Sequence, residues 1–551
     1  MLPTRILSRL YFSIPCLALF TLLSCNQEKH EEEKPRPKLV IGMVVDQMRF
    51  DYLQRFAPVF SNEGAFKLLI DSGKFFTETR YEYLPTYTGP GHATIFTGTH
   101  PKYHGIVAND WYYRQGNKMM YCASDSTVDT QGSPSGAGQM SPKNMLVQSL
   151  GDLFKNEFGT DSKVYGVGLK DRSSIFPAGK QANRAFWFDG GKQGKWISSS
   201  YYTDAFPTWI ENFNASGICD SLMAVNWELH DRTKLLEITD ATSWERPFQG
   251  MQQAIFPYEL SKLGLINGNY EMLKQVPHGN DLTLSFAKAL IENEELGADS
   301  IPDFLSISFS ATDYVGHRFG TESLELADTY VRLDESLGEF IRYLNEKIGA
   351  GNYMIFLSSD HGAAPPVGYA QSKMQKGGAI SVPELEVELD SVLTANNFPT
   401  KSVLALANQQ VYLAPMDSIK KQQAISLLSK HLMEKVFVEE ILTADMLGKG
   451  VPSNYSGRHY NAATAGYRPD RCGDLWYFLK EYWVEYSEAG STHGSFEEYD
   501  RHVPFFIYNQ HLPAEKISRS VAVRDIAPTL SDILGLQGLE SFSGRSVFAK
   551  P

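Results

Sequence analysis

The sequence predicts an α/β fold in which a mostly parallel central sheet is covered by helices on both faces. Three apolar segments have the pattern of strands that are buried on both sides of such a sheet. These segments are residues 38–45, 304–310 and 353–357. Helix-like segments lie between them, as expected of parallel strands joined by crossover helices. An aspartate follows each segment closely, so we expect a ligand crevice at the carboxyl ends of these strands.

Two helices and two insertions complete the predicted architecture. Apolar residues recur at helical spacing over residues 323–348, and a second helical segment covers residues 417–432. Residues 186–280 show weak periodicity, and residues 365–486 include an aromatic-dense part. We predict that both are insertions or cap subdomains, which could wall a substrate pocket or simply cover the surface.

The composition is that of a large globular protein. Of the 551 residues, 42% are hydrophobic and 12% are aromatic, which is enough to bury a sizeable core and excludes a disordered chain. The net charge of -13 and the pI of about 5.5 lead us to expect no nucleic-acid partner. An anionic substrate would need a local positive site.

The N-terminus has the pattern of an export signal. Two arginines precede an apolar run, residues 10–23, that is short for a membrane-spanning helix. The run ends in Leu22-Leu23-Ser24-Cys25, which resembles a bacterial lipobox. We therefore predict a signal peptide over 1–24, a lipid on Cys25, a charged tether over 25–38, and a periplasmic or cell-surface location. Ordinary signal cleavage is the alternative.

The cysteines indicate no cysteine metal site. Once the signal is removed and Cys25 carries lipid, Cys122, Cys219 and Cys472 remain. They show no Cys-x-x-Cys spacing and allow at most one disulfide.

A glycine-rich stretch carries a candidate nucleophile, Thr88. The motif Thr88-Gly-Pro-Gly91 is followed by a short helix-like run, residues 93–96. Glycines let the backbone approach a ligand closely, and the N-terminus of a helix attracts anions, so an anion could be held beside Thr88. This arrangement suits attack on a phosphoryl group. The commoner explanation of such a residue is a threonine N-cap in a Gly/Pro-rich loop.

Residue types that bind metal ions recur in short clusters. Asp313 and His317 are four apart, on one face of a helical turn, and Asp360 and His361 are adjacent at a strand exit. The full set is Asp46, Asp313, His317, Asp360, His361 and His493. Two zinc-like ions need about three protein ligands each, and this set provides them. Each member alone could belong to a turn, a helix cap or a solvated helix face, so the argument depends on their combination.

Two cations follow the apolar run 164–169. In an extended chain the side chains of Lys170 and Arg172 would point the same way, so both could bind one anion. A surface loop in which Asp171 forms a salt bridge fits the spacing equally well.

Taken in order, these residues resemble the alkaline phosphatase superfamily, in the branch that holds the nucleotide pyrophosphatase/phosphodiesterases. The resemblance rests on Asp46, Thr88, Asn109, Asp313 with His317, Asp360-His361 and His493. Lys170-Asp-Arg172 makes the chain similar to the phosphate-irrepressible alkaline phosphatases, which are periplasmic monoesterases. The likeness covers nearly the whole mature chain and implies an alkaline phosphatase-like catalytic domain over residues 39–551.

The resemblance also implies a role for each residue. One zinc ion would be held by Asp313, His317 and His493, and a second by Asp46, Asp360 and His361. Thr88 would contact the second zinc ion and become phosphothreonine, while Asn109, Lys170 and Arg172 would bind phosphoryl oxygens. The diesterase relatives commonly have Thr-x-Pro-Asn-His around the nucleophile, whereas this chain has glycine at position 91.

We therefore predict a hydrolase with two Zn²⁺ that acts on phosphate monoesters of small molecules, because a paired cation suits a monoester dianion. A phosphodiesterase or nucleotide pyrophosphatase of the same superfamily is the alternative. A sulfatase is disfavoured because Thr88 cannot become formylglycine. A phosphoethanolamine transferase is disfavoured because it normally has several membrane spans, which this sequence does not show. From another class, the chain could be a non-catalytic surface lipoprotein that binds ligands.

Overall fold

The computed structural model describes Met1, residues 36–202 and residues 204–549. The predicted signal peptide, Cys25 and most of the predicted tether lie outside these residues. From Pro37 onward the chain forms one compact unit. Among the described residues, no helix is both long enough and apolar enough to cross a bilayer.

The bounds of the strands and helices are as follows. The strands are β1 (Leu39–Val45), β2 (Lys74–Arg80), β3 (Asp110–Tyr113), β4 (Lys118–Tyr121), β5 (Thr130–Gln131), β6 (Val164–Gly168), β7 (Arg184–Asp189), β8 (Lys195–Ser199), β9 (Asp303–Phe309), β10 (Tyr353–Ser358), β11 (Gly378–Ala379), β12 (Val403–Ala407), β13 (Gln410–Leu413), β14 (Val438–Thr443), β15 (Leu475–Leu479), β16 (Trp483–Val484), β17 (His502–Tyr508), β18 (Glu515–Ile517) and β19 (Val521–Ala522). The α-helices are α1 (Tyr52–Arg55), α2 (Ala65–Ser72), α3 (Thr88–Thr97), α4 (Pro101–His104), α5 (Leu150–Phe158), α6 (Asp171–Ala178), α7 (Thr208–Asn214), α8 (Ile218–Met223), α9 (Leu260–Gly264), α10 (His278–Asn293), α11 (Ala311–Phe319), α12 (Leu324–Leu344), α13 (Val367–Ser372), α14 (Val382–Ala395), α15 (Ser418–Met433), α16 (Ala444–Lys449), α17 (Tyr460–Gly466), α18 (Glu498–Arg501) and α19 (Ile526–Ile533). The 3-10 segments are Gly136–Gly138, Pro142–Asn144, Gly159–Asp161, Thr233–Leu235, Asn269–Gln275 and Val523–Asp525, and Asn345–Gly349 is a π-helical turn.

The central sheet has eleven strands within the described part of the chain. Its order is β18-β2-β17-β10-β1-β9-β6-β7-β8-β5, and β19 pairs with β2. The five neighbours β10, β1, β9, β6 and β7 run parallel to one another. Strand β17 is antiparallel to both β10 and β2. The predicted mostly parallel sheet is therefore confirmed, with its antiparallel pairs toward the edges.

Strand β1 shows why the centre of the sheet forms. All seven of its residues are buried. Ile41 and Met43 pack into the core on one face, together with apolar residues of α12. Val40 and Val44 pack into the core on the opposite face, together with apolar residues of α3. Alternate side chains are thus buried against helices on both faces, as a continuous apolar run requires.

The two predicted helices form close to their expected bounds. Helix α12 begins after Ser323, whose side chain accepts a hydrogen bond from the Leu326 N–H at 3.1 Å, and it continues into the π-helical turn. Helix α15 begins after Asp417, which accepts from the Lys420 N–H at 2.9 Å. Both start at the capping residue types that favour a helix N-terminus.

The regions predicted as insertions differ in construction. Residues 365–486 contain a second sheet, β12-β13-β15-β14, with helices α14 and α15 and a separate apolar core. Residues 186–280 begin in β7 and β8 of the central sheet and continue through short helices. This irregular part is tied to α12, because Trp227 Nε1 donates to Asp328 Oδ2 at 2.7 Å.

The described cysteines are unpaired. Cys122, Cys219 and Cys472 are buried free thiols. Burial raises the pKa of each thiol, to about 12 for Cys219 and Cys472. Raised pKa values keep these thiols protonated and unreactive.

Candidate active site

The carboxyl ends of three adjacent strands bring three aspartates together. Strand β1 lies between β9 and β10 in the sheet. Asp46 follows β1 directly, Asp313 lies in the first turn of α11 after β9, and Asp360 lies two residues past β10. Their exposed fractions are 0–2%. Because parallel neighbours end at the same edge, the aspartates meet in the crevice where open α/β sheets bind ligands.

The first group of metal-binding residue types is Asp313, His317 and His493. The Nε2 atoms of His317 and His493 lie 3.2 Å and 3.8 Å from Asp313 Oδ1. All three potential ligand atoms lie within 4.8 Å of one another. The His317 side chain is 26% exposed, whereas the other two are at most 5% exposed. We call this group the open half-site.

The second group is Asp46, Asp360 and His361. His361 Nε2 lies 3.5 Å from Asp46 Oδ1 and 3.5 Å from Asp360 Oδ2, and all three side chains are fully buried. Asp313 lies between the groups, because its carboxylate is also within ligand distance of Asp46 and His361. We call Asp46, Asp360 and His361 the closed half-site.

Main-chain carbonyls fix the three histidines in one tautomer. The Nδ1 atoms of His317, His361 and His493 lie 2.7 Å, 2.9 Å and 2.7 Å from the carbonyl oxygens of Ser491, Gly362 and Thr86. A carbonyl oxygen only accepts, so each Nδ1 carries the proton and each Nε2 keeps a lone pair that faces the aspartates. This is the usual orientation of metal-binding histidines.

The residues of both half-sites fit divalent cations. Asp46 Oδ1 and Asp360 Oδ2 are buried without a hydrogen-bond partner. Burial raises the pKa of Asp46 well above its ordinary value and that of Asp360 to about 7, so an ionised form needs compensation by positive charge. Burial also lowers the pKa of His493 to about 3, which leaves the neutral, metal-binding form of this imidazole. Mixed carboxylate and imidazole ligands are those that zinc accepts.

Lys170 lies between the two half-sites. Its Nζ donates to Asp46 Oδ2 at 2.7 Å and to Asp313 Oδ2 at 2.5 Å, and it lies 3.5 Å from Thr88 Oγ1. Burial alone would lower the pKa of Lys170, but the carboxylates of Asp313 and Asp46 hold it above its ordinary value. The ammonium is therefore charged next to the hydroxyl.

Arg172 does not continue an extended chain from Lys170, so that part of the prediction was wrong. Helix α6 begins at Asp171, which places Lys170 at its N-cap and Arg172 in its first turn. Arg172 Nη1 donates to Tyr121 Oη at 3.0 Å, and Tyr121 in turn donates to Asp171. The Nε of Arg172 is buried without a partner. A donor is thus left over beside Lys170.

The chain around Thr88 also differs from the expected turn. Helix α3 begins at Thr88, and its N-cap residue is Tyr87. Gly89, Pro90 and Gly91 form the first helical turn, where proline is well tolerated. Thr88 is 1% exposed, and its Oγ1 lies 3.3 Å from His361 Nε2. The Thr88 hydroxyl therefore does not cap helix α3 and lies in the closed half-site.

Position 91 has room only for glycine. A Cβ atom there would lie 2.3 Å from the carbonyl oxygen of Asp360 and 2.7 Å from its Cβ. An asparagine, as in the diesterase pattern, would require Asp360 to move. The departure at Gly91 therefore keeps helix α3 close to the closed half-site.

Asn109 lies against the same helix turn. Its Oδ1 accepts from the Gly89 N–H at 2.8 Å. Since the oxygen is used in this way, the Nδ2 group remains as a donor. The Asn109 amide thus lies at the start of α3, one residue after Thr88, whose hydroxyl lies 3.5 Å from Lys170 Nζ.

Two residues that the sequence analysis did not select hold the aspartates. The Gln47 N–H donates to Asp360 Oδ1 at 3.1 Å, and its Nε2 donates to Asp313 Oδ1 at 2.7 Å. Gln47 has a φ of 67°, which is uncommon for a residue with a side chain. His92 Nδ1 lies 3.3 Å from Asp360 Oδ2. Only their positions, next to Asp46 and four residues after Thr88, could have suggested them.

Comparisons with known proteins find relatives over nearly the whole chain. Residues 40–503 match the family "Type I phosphodiesterase / nucleotide pyrophosphatase". The chain is 38% identical over 551 residues to the alkaline phosphatase PhoV of Synechococcus elongatus, covering 97% of this chain and 98% of that protein. It is also 38% identical over 520 residues to a calcium-transporting ATPase of Myroides odoratus, covering 92% and 93%. A crystal structure of the alkaline phosphatase PafA matches with a TM-score of 0.88 at 35% identity, over 93% of this chain and 98% of that chain.

Proposed function

The chain belongs to the type I phosphodiesterase/nucleotide pyrophosphatase family, and we propose that it acts through a phosphothreonine on Thr88 at a site for two zinc ions. It is an enzyme of the alkaline phosphatase type, a phosphate monoester hydrolase, with a metal cofactor. One observation carries the proposal: the buried Thr88 hydroxyl lies 3.5 Å from Lys170 Nζ and 3.3 Å from His361 Nε2, beside both groups of metal-binding residues.

The ligands divide between the half-sites. Asp313, His317 and His493 would hold one zinc ion, and Asp46, Asp360 and His361 the other. When bound, the two ions supply Lewis acidity that favours an ionised threonine oxygen and offsets charge on the departing oxygen. The orphaned carboxylate oxygens and the oriented Nε2 atoms support this division.

The reaction has two displacements at phosphorus. In the first, Thr88 Oγ1 forms a bond to phosphorus, the bond to the substrate alcohol breaks, and the alcohol leaves with a proton. In the second, water attacks phosphorus, inorganic phosphate leaves, and the Thr88 hydroxyl regains its proton. Each step exchanges one P–O bond for another.

Three side chains would hold the phosphoryl oxygens. Lys170 supplies a buried positive charge, Arg172 an unpartnered Nε–H, and Asn109 the NH2 end of an amide whose oxygen is already engaged. Donors aimed at developing charge are often the largest catalytic contribution. A monoester dianion offers these donors one more charged oxygen than a diester, which carries a second substituent there. The pair Lys170 and Arg172 therefore favours monoesters.

The test compares monoester and diester hydrolysis in the double variant Lys170→Ala/Arg172→Ala. We expect kcat/KM for p-nitrophenyl phosphate to fall by about 10²–10³ or more, and that for bis-p-nitrophenyl phosphate to fall much less. Lys262→Ala is the control, because this exposed lysine forms a surface ion pair with Glu259. Equal losses for both substrates would favour the phosphodiesterase alternative.

Metal content separates an enzyme from a non-catalytic lipoprotein. The purified protein should contain two zinc ions per chain, and a chelator should abolish p-nitrophenyl phosphate hydrolysis until zinc is returned. A metal-free protein with no hydrolysis would instead favour ligand binding through the aromatic regions.

We also propose that the chain is exported and anchored by a lipid on Cys25. The support is the motif Leu22-Leu23-Ser24-Cys25 after the apolar run. In cells fed labelled fatty acid, the wild-type chain should incorporate label and Cys25→Ser should not. Labelling of the Cys25→Ser chain would refute the anchor.

A further inference from the structure

An arginine pair lies against the open half-site. Arg318 follows His317 on α11, and Arg246 comes from the irregular segment between β8 and α10. The hydrogen-bond partners of both guanidinium groups are neutral oxygens. Within residues 36–202 and 204–549, neither group has a carboxylate within salt-bridge distance. Uncompensated guanidinium groups are notable in a chain with a net charge of -13.

Arg318 is fully engaged in holding the structure. Its Nε and Nη2 donate to Gln275 Oε1 at 2.9 Å and 2.6 Å, and its Nη1 donates to the Pro247 carbonyl at 3.0 Å. The guanidinium carbon also lies 4.3 Å from the centre of the Phe248 ring. Each nitrogen of the Arg318 guanidinium therefore already has a partner within the protein.

Arg246 keeps unused donors. Its Nη2 donates to the carbonyl oxygen of His317 and to Tyr486 Oη. Its Nε is buried without a partner, and its Nη1 has no hydrogen-bond partner in the part of the chain that the structure describes. The guanidinium carbon lies 4.9 Å from the centre of the Tyr486 ring. Arg246 is thus held in place through its Nη2, while its Nη1 group remains available to a ligand.

The main chain fixes Arg246 beside the exposed ligand of the open half-site. The Arg246 N–H donates to the Arg318 carbonyl at 3.0 Å, and the Trp244 carbonyl accepts from the Gly490 N–H at 2.8 Å. The Tyr486 ring, which contacts Arg246, lies 5.6 Å from the His317 ring. His317 is the most exposed of the proposed metal ligands. The positive group therefore stands next to the place where the active site opens to solvent.

We propose that Arg246 binds a second anionic group on the substrate alcohol, so that preferred substrates are phosphate monoesters whose alcohol carries a carboxylate or another phosphate. This inference rests on the proposed function: Thr88 belongs to the closed half-site, so the departing alcohol would lie on the side of the open half-site. The Nη1 group offers its N–H donors and a positive charge to such an anion, whereas a neutral alcohol would gain little from the charge. Lys170 and Arg172 bind the transferred phosphoryl group, whereas Arg246 binds the anionic group on the alcohol.

The test uses three aryl phosphates that differ only at the para position. One carries a carboxymethyl group, one a phosphonomethyl group, and one a neutral hydroxyethyl group. For the wild-type enzyme we expect kcat/KM to be about 10-fold higher for the anionic substrates. In Arg246→Gln this preference should disappear, and Arg246→Lys should keep part of it. The carboxymethyl and phosphonomethyl arms show which anion is preferred.

A control variant and a binding measurement complete the design. Arg232→Gln removes a guanidinium from the same irregular segment, where Arg232 pairs with Glu335, and should keep the anionic preference. Calorimetry with benzylphosphonate and its para-carboxymethyl derivative measures the same preference without turnover. If Arg246 had only a structural role, Arg246→Gln would lower kcat/KM for the anionic and the neutral substrates by the same factor. An unchanged ratio of kcat/KM in this variant would therefore overturn the inference. If the wild-type enzyme hydrolysed none of the three monoesters, the proposed function itself would be refuted.

Discussion

The two half-sites contain the same kinds of side chain, carboxylates and imidazoles, but differ in exposure. In the closed half-site Asp46, Asp360 and His361 are fully buried. In the open half-site His317 is 26% exposed. The closed half-site is packed against helix α3, which carries Thr88, whereas the open half-site is bordered by Tyr486 and by the irregular segment that carries Arg246.

This difference matches the two tasks of the proposed reaction. A nucleophile has to be held rigidly in the geometry of attack, so full burial suits the side that holds Thr88. An alcohol has to enter and leave, so the side that receives it needs an opening. The segments that form the opening also lie outside the central strands, where they could vary without disturbing the closed half-site.

The largest predicted effect is on the nucleophile of the closed half-site. Thr88→Ala should lower kcat/KM for p-nitrophenyl phosphate by at least about 10⁴, because no other hydroxyl replaces its Oγ1. Zinc content should stay at two per chain, since the six carboxylate and imidazole ligands remain. Thr394→Ala, an exposed threonine of α14, is the control. A Thr88→Ala enzyme within tenfold of wild type would show that the nucleophile lies elsewhere.

The two half-sites should lose zinc to a chelator at different rates. Because only the open half-site is exposed, a chelator should remove zinc in two phases of equal amplitude, measured with a zinc-sensitive dye. His317→Ala should remove the faster phase and keep the slower one. Zinc loss in a single phase, or loss of the slower phase in this variant, would contradict the assignment of the open half-site.

Gln47 should couple the two half-sites. It donates to Asp360 through its main chain and to Asp313 through its side chain. Gln47→Met removes the second hydrogen bond and should weaken zinc affinity about 10–100-fold, measured by competition with a chelator. Gln54→Met, on the exposed face of α1, is the control. Unchanged affinity in Gln47→Met would show that packing alone positions Asp313.

The smallest predicted effect tests the tight packing of the closed half-site. Gly91→Ala places a Cβ atom 2.3 Å from the Asp360 carbonyl oxygen. We expect a loss of about 1–3 kcal/mol in the free energy of unfolding, measured with denaturant on the metal-free protein. In Gly136→Ala the nearest atom would lie 3.8 Å away, so that variant should match wild type. Equal stabilities would mean that Asp360 shifts freely.

The sequence predicted the central strands and the site residues at their ends because both depend on local pattern. A continuous apolar run specifies a strand that is buried on both faces, and the aspartate after it then lies at the sheet edge. The order β10-β1-β9, which makes Asp46 the middle residue of the three, depends on contacts between distant segments. No local pattern states that order.

The predictions were wrong where a tertiary contact overrode a local sequence preference. Gly89, Pro90 and Gly91 are turn residues by preference, yet they start a helix, because Gly91 packs directly against Asp360. Lys170 and Arg172 were predicted in an extended chain, whereas a helix begins between them. The positioning role of Gln47 was invisible, because its two hydrogen bonds reach residues more than 260 positions away.

The proposed ligands begin at position 46 and end at position 493, and strand β17, which follows the last of them, fills the place between β10 and β2. A nascent polypeptide that is still being synthesised therefore lacks His493 until most of its length has emerged. Phosphatase activity would therefore arise only near the end of synthesis. Unfinished chains, which lack His493, would not hydrolyse phosphate esters in the compartment where they are made.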